Sequence, residues 1–190
     1  MSSKYRHFLP RRPPSPGGAP RPAAPALIAV LTLLALQAVP SPAAQGSLAS
    51  LGVLPSGWVD DLGRPFDLRT LQGHSVVLTM AYATCHRVCP LTMRRLQQMQ
   101  RELDERGRSA EFLVIGYDPE HDDAAAWHQY RATRHLTRDN WHFLTGTRSE
   151  VEQTARRLGF DFWLYDQHVM HDLRIVRFDE HGTPAEVQTP

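Results

Sequence analysis

Two blocks of the chain are apolar almost without interruption: residues 75–82 (SVVLTMAY) and 111–117 (EFLVIGY). Short runs of this kind, rich in β-branched residues and lacking polar alternation, predict strands buried on both faces. Between them, residues 90–106 place Met93, Leu96, Met99 or Gln100, and Leu103 at intervals of three and four, with Pro90 at the start and Gly107 as a stop. That spacing predicts an amphipathic helix. Residues 58–68 hold two short apolar runs around a turn containing Gly63, the pattern of a hairpin. Downstream, Asp122 is expected to cap a helix running to about Arg134, and residues 141–145 to form a short strand. Thr147-Arg-Ser-Glu150 fits a capping box for a helix ending at Leu158 before Gly159. Residues 161–165 and 172–178 read as further strands, the last closing in a turn at 179–182. Strands alternating with helices predict an α/β layered domain, a central and mostly parallel sheet with flanking helices.

The leading segment follows another pattern. Residues 26–38 (ALIAVLTLLALQA) run 13 residues without a charge, behind a basic, proline-rich stretch and ahead of Val39-Pro-Ser-Pro-Ala-Ala44. A spanning helix needs about 20 apolar residues, so the run suits the core of a cleaved signal peptide, with Ser41 and Ala43 as the small residues before the cut. Extended over 22–44, it also serves as a poor single span that would leave the basic side in the cytoplasm. Residues 1–44 are therefore read as signal peptide or N-terminal membrane anchor, 45–57 as linker and 58–190 as the folded domain. Both leader readings export that domain, to the periplasm or facing it.

Charge narrows the partners. Lys4, Arg6, Arg11, Arg12 and Arg21 all precede the first acidic residue, Asp60, which leaves 16 basic against 20 acidic residues for the rest. A net-acidic domain argues against nucleic acid as a partner.

The chain has two cysteines, Cys85 and Cys89, in Thr84-Cys-His-Arg-Val-Cys-Pro-Leu-Thr92, where a buried strand meets a helix start. A helix N-terminus favours thiolate over thiol, and Arg87 lies between the two sulfurs in sequence. Such a pair can attack a disulfide, form one, or ligate a soft metal. A purely structural disulfide closing so short a loop would add little stability. The spacing departs from the C-x-x-C of dithiol oxidoreductases and widens the bite for a metal.

These residues, from Ala81 to Thr92, resemble the metal-binding motif of the SCO/SenC family of copper chaperones. Asp61-Leu-Gly-Arg-Pro-Phe-Asp67, Gly116-Tyr-Asp-Pro-Glu-His-Asp122 and Asn140-Trp-His-Phe-Leu-Thr-Gly146 are similar to further family segments in the same order, as is His171 at the head of a strand. The resemblance implies a three-layer thioredoxin-like fold in which Cys85, Cys89 and His171 bind one copper ion. It also implies delivery to the binuclear copper centre of cytochrome c oxidase, so the expected partners are the oxidase's copper-bearing subunit or another copper client and a thiol-disulfide reductant. The membrane joins them if the leader is retained. Two thiolates suit Cu(I), an added imidazole admits Cu(II), and the same set could hold zinc with an open position. In the alternative reading Cys85 and Cys89 are catalytic, Cys85 attacking and Cys89 resolving, in a reductase that keeps a client's copper-site cysteines reduced.

Three departures touch this expectation. His86 and Arg87 stand where the family commonly has Pro-Asp, and Asp172 follows the histidine where Ser is common, placing a carboxylate where it could orient an imidazole. With the chain ending at Pro190, the usual C-terminal helix is expected to be missing and one sheet face thinly covered. His86 is either a fourth ligand or a surface residue, His168 is an alternative ligand if its loop shifts, Met170 is a candidate transient thioether contact beside His171, and Asp118 is either a residue supporting the site or contacting a partner, or a plain turn former. Met93 and Met99 are expected in the core.

Overall fold

In the computed structural model, residues 48–83, 89–165 and 168–189 are described, with the side chains of 89–90, 164–165 and 168 excepted. The signal peptide or anchor expected over residues 1–44 lies outside them. No helix among the described residues is long and apolar enough to cross a membrane.

A seven-stranded sheet forms the centre. Its strands in chain order are β1 (Trp58–Asp60), β2 (Pro65–Phe66), β3 (Val76–Ala81), β4 (Glu111–Gly116), β5 (Trp141–Thr145), β8 (Ile175–Phe178) and β9 (Pro184–Gln188), arranged β2-β1-β5-β4-β3-β8-β9. A separate hairpin, β6 (Phe162–Tyr165) with β7 (His168–His171), makes a second, two-stranded sheet. The helices are α1 (Cys89–Glu105), α2 (Ala124–Thr133) and α3 (Arg148–Leu158).

The sheet is mixed, where the sequence pattern predicts a mostly parallel one. Parallel pairing is confined to β3 with β4 and β4 with β5, the pairs joined by helical crossovers. The edges, β1 and β2 on one side and β8 and β9 on the other, pair antiparallel. Antiparallel strands can follow one another through a tight turn, whereas a parallel pair needs a crossover.

Both faces of the parallel core are buried, as continuous apolar runs require. Val77, Ala81, Phe112 and Val114 face Met93, Leu96 and Met99 of α1 and Trp127 and Tyr130 of α2. Val76, Leu78, Met80, Leu113 and Ile115 face Val151, Ala155 and Leu158 of α3. The period-two alternation along each strand thus yields two cores and three layers.

The second face is not thinly covered. Leu51 and Leu54, from the stretch read in sequence as linker, are 3% and 7% exposed within that core, and Val169 of β7 joins them. Burying each such side chain contributes about 1.5–3 kcal/mol, so these positions belong to the packing of the domain. After β8 the chain turns back into β9, which extends the sheet edge and is a strand the sequence pattern missed.

Helix ends follow their sequence signals with one exception. Thr147 and Glu150 form the reciprocal capping box, and Gly159 closes α3 at φ 69°, a left-handed conformation that favours glycine. The cap of α2, however, is Asp123, whose carboxylate accepts from the Ala126 N–H. Asp122, expected in that role, is 0% exposed and engaged elsewhere.

Candidate metal centre

At the carboxyl end of the parallel core, β3 and β4 release the chain side by side. Ala81 is in register with Gly116, so Tyr82 and Tyr117 are the next residues on the two strands. Open α/β sheets gather ligand sites at this end.

His171 comes to the same place from the hairpin. It ends β7, opposite Phe162 of β6, where the sequence reading has it beginning a strand. Its imidazole packs at 4.8 Å between ring centroids on Tyr117 and meets Tyr82 edge-on at 5.8 Å. Tyr117 is itself held by Phe162 at 5.0 Å and Phe160 at 6.4 Å. Each such pair adds roughly 0.5–1.5 kcal/mol beyond area burial.

The imidazole is also oriented through a hydrogen bond. Nδ1 lies 2.7 Å from the backbone carbonyl oxygen of Asp172. A carbonyl only accepts, so Nδ1 carries the proton and donates, and in the neutral ring the lone pair resides on Nε2. The orienting group is thus the main chain of Asp172 and not its carboxylate, as sequence had it. That carboxylate instead accepts from Arg174 Nε at 3.2 Å and from the Asp161 N–H at 3.3 Å.

Cys89 opens α1, and the first turn of that helix carries no acidic side chain to neutralise its positive end. Cys85, His86 and Arg87 lie outside the described residues, as do the side chains of Cys89 and His168. The chain that leads to Cys85 is visible as far as Ala83, and Tyr82, three positions before Cys85, already touches the His171 ring. Among the described residues no group of three or more His, Cys, Asp or Glu is placed to hold a metal.

Other predicted residues sort clearly. Met93 and Met99 are core, at 4% and 5% exposed, and Met80 is buried as well. Met170 is 43% exposed and sits opposite Trp163, 56% exposed, on the hairpin. Asp118 does more than form a turn: its carboxylate meets His121 Nδ1 at 2.7 Å and Arg148 Nη2 at 3.3 Å. The hydrogen bond to Asp118, with that carboxylate's charge, raises the pKa of His121.

Tyr82, Tyr117 and the buried carboxylate of Asp122 escaped the sequence reading. The two tyrosines had a signal, since each follows directly on a buried strand and the strands are parallel neighbours.

Three parallel core strands joined by crossover helices, with antiparallel strands at both edges and helices on both faces, define a thioredoxin-like domain. Residues 57–186 match the SCO1/SenC family, and the chain belongs to it. A curated relative, the SCO1 protein homolog of Bacillus subtilis strain 168, is 28% identical over 94 residues. That match covers 49% of each chain, so this chain spans about half the length of the relative. Among solved structures, Arabidopsis thaliana ScoI with copper bound superposes at a TM-score of 0.66 with 20% identity, covering 74% of this chain and 88% of that one. BsSco, described as a member of the Sco family of cytochrome c oxidase assembly proteins with a disulfide switch, gives 0.65 and 21%, covering 75% and 85%. At these identities the structural likeness speaks for the thioredoxin-like fold.

Proposed function

We propose that this protein is an exported copper metallochaperone that binds one copper ion through Cys85, Cys89 and His171 and delivers it to the binuclear copper centre of cytochrome c oxidase. The observation that carries the reading is the placement of His171. Its ring is oriented by the Asp172 carbonyl and packed against Tyr82, on the chain segment that enters Cys85 three residues later. Family membership supports copper as cargo, as does the copper-bound Arabidopsis relative. Cytochrome c oxidase as destination draws support from the description of BsSco.

The donor set fits the cargo. Thiolates are soft and suit Cu(I), and an imidazole admits Cu(II). No covalent chemistry is required: the ion passes by ligand exchange, in which each incoming client donor displaces one of the three. The residues of this chain contribute orientation. Tyr117 and the Asp172 carbonyl hold the imidazole, and the helix end at Cys89 favours thiolate. Export rests on the uncharged run over 26–38 with its basic approach.

Anaerobic titration of the reduced full chain with Cu(I) tests this reading. Wild type is expected to bind one equivalent tightly, His171→Ala to bind more weakly, and Cys85→Ser/Cys89→Ser not at all. Wild type binding no more tightly than the double-cysteine variant would refute it. The position of the cysteine pair at a strand-to-helix junction of a thioredoxin-like fold favours a second reading, thiol-disulfide reduction of a client. In that case His171→Ala retains reductase activity, while either cysteine change abolishes it.

A further inference from the structure

Asp122 is fully buried although the helix that follows has its own cap in Asp123. A buried carboxylate is costly unless its hydrogen bonds are made, and both of its oxygens are engaged. Oδ1 accepts from the Ala83 N–H at 2.7 Å, and Oδ2 accepts from the Asp118 N–H at 2.9 Å. Its own N–H donates to the Asp118 carbonyl at 2.6 Å.

The place of these bonds is informative. The backbone ladder between β3 and β4 continues past the last paired residues with the Tyr117 N–H donating to the Ala81 carbonyl at 2.9 Å. In a parallel ladder the next donor on the first strand is two residues on, which is Ala83. There the strands part, and the Ala83 N–H goes to the Asp122 side chain instead. Gly116 makes room for this: a Cβ at that position would lie 2.8 Å from the Asp122 Cβ and 3.0 Å from Oδ2. At its other end, the tie is anchored through Asp118, which Arg148 and His121 hold.

We infer that Asp122 is a positioning residue for the metal site, its carboxylate fixing the main chain at Ala83 and so the point from which the segment carrying Cys85 departs. This deepens the copper-chaperone reading and rests on it. Neither oxygen can be spared, because an amide in the same place offers one acceptor and turns a donor toward the second N–H. Burial pushes the Asp122 pKa up to about 7 against the opposing pull of the Ala83 and Asp118 N–H groups. The fold therefore accepts a strained ionisation in order to keep a carboxylate there.

The test compares the full chain as wild type, Asp122→Asn, Asp122→Ala and Phe112→Leu, the last a core change at the opposite end of β4 that lowers stability without touching the tie. Two quantities are read at a pH above 7.5: Cu(I) affinity by competition with a chromogenic chelator, and the equilibrium of the Cys85–Cys89 dithiol with glutathione. Asp122→Asn is expected to weaken Cu(I) binding on the order of 10-fold and to shift the glutathione equilibrium at least threefold. Phe112→Leu is expected to leave both within twofold of wild type. If Asp122→Ala does not fold, Asp122→Asn alone decides. Values for Asp122→Asn within twofold of wild type would overturn the inference, whatever its unfolding midpoint. Should wild type itself fail to bind copper, the cargo reading falls, and the glutathione equilibrium alone then supports or overturns the positioning role.

Discussion

The parallel core and the β6–β7 hairpin sit side by side but are held by different means. Every residue of β3 is buried, and β4 has one half-buried position in six, so packing on two faces fixes both strands. The hairpin stands outside the main sheet, presents Trp163 and Met170 to solvent, and is secured by Val169 and by Phe162 against Tyr117. An isolated two-stranded hairpin is marginal in water, so these contacts decide where His171 lies. Stability and the placement of His171 therefore reside in different parts of the molecule, and substitutions should separate them.

The largest separation is expected from the core. Phe143 is 0% exposed and packs against Trp127 and Tyr130 at 5.3 and 5.9 Å. Phe143→Ala should cost about 3–5 kcal/mol in urea unfolding, while the copper affinity of the folded fraction stays close to wild type.

A pH series addresses the seam between the two regions. Asp122 has its pKa raised from 3.8 to about 7, chiefly by burial. Below pH 3.8 it is neutral in both folded and unfolded chains and burial carries no ionic penalty. Between about 4 and 7 the unfolded chain ionises first, so this group's contribution lowers stability progressively as pH rises, and above 7 the penalty is complete. The loss over that window is on the order of a few kcal/mol. Asp122→Asn should flatten this component of the curve, read as the difference between the two unfolding series.

Smaller effects should fall on the hairpin and on the core residue it packs against. Tyr117→Leu keeps an apolar side chain but removes the ring against His171, and is expected to weaken copper binding roughly 10-fold with a loss of stability of about 1–2 kcal/mol. Trp163→Ala removes an exposed ring and should change stability by about 0.5 kcal/mol or less, with copper affinity unchanged. A large stability loss from Trp163→Ala would mean that the hairpin is part of the cooperative core, and the contrast would disappear.

Much of the scaffold was legible because local signals agreed with tertiary packing. The runs over 75–82 and 111–117 became β3 and β4, the stripe of Met93, Leu96 and Met99 became the buried face of α1, and Thr147 with Glu150 formed their capping box. What failed lacked a local signature. β7 and β9 are short and polar in pattern, and β9 is an exposed edge, so neither shows a buried period. At Asp122-Asp123 two adjacent carboxylates offered the same capping chemistry, and only the close approach over Gly116 decides which is buried. Residues 48–54 are mostly apolar but too short, and too interrupted by Ser50 and Gly52, to show a helical or strand period, so they read as linker, whereas Leu51 and Leu54 share the second core with residues of α3. For the site, the motif pointed to Cys85, Cys89 and His171, and the structure adds the tyrosine pair and the Asp172 carbonyl that orient the histidine.

The central claim is that His171 completes a copper site with the two cysteines. The most direct measurement is X-ray absorption of the reduced full chain loaded with one equivalent of Cu(I). Two sulfur scatterers and one imidazole nitrogen, with the imidazole contribution lost in His171→Ala, is the result expected. A shell of sulfur alone, identical in wild type and His171→Ala, would contradict it and leave the cysteine pair as a dithiol without a third ligand.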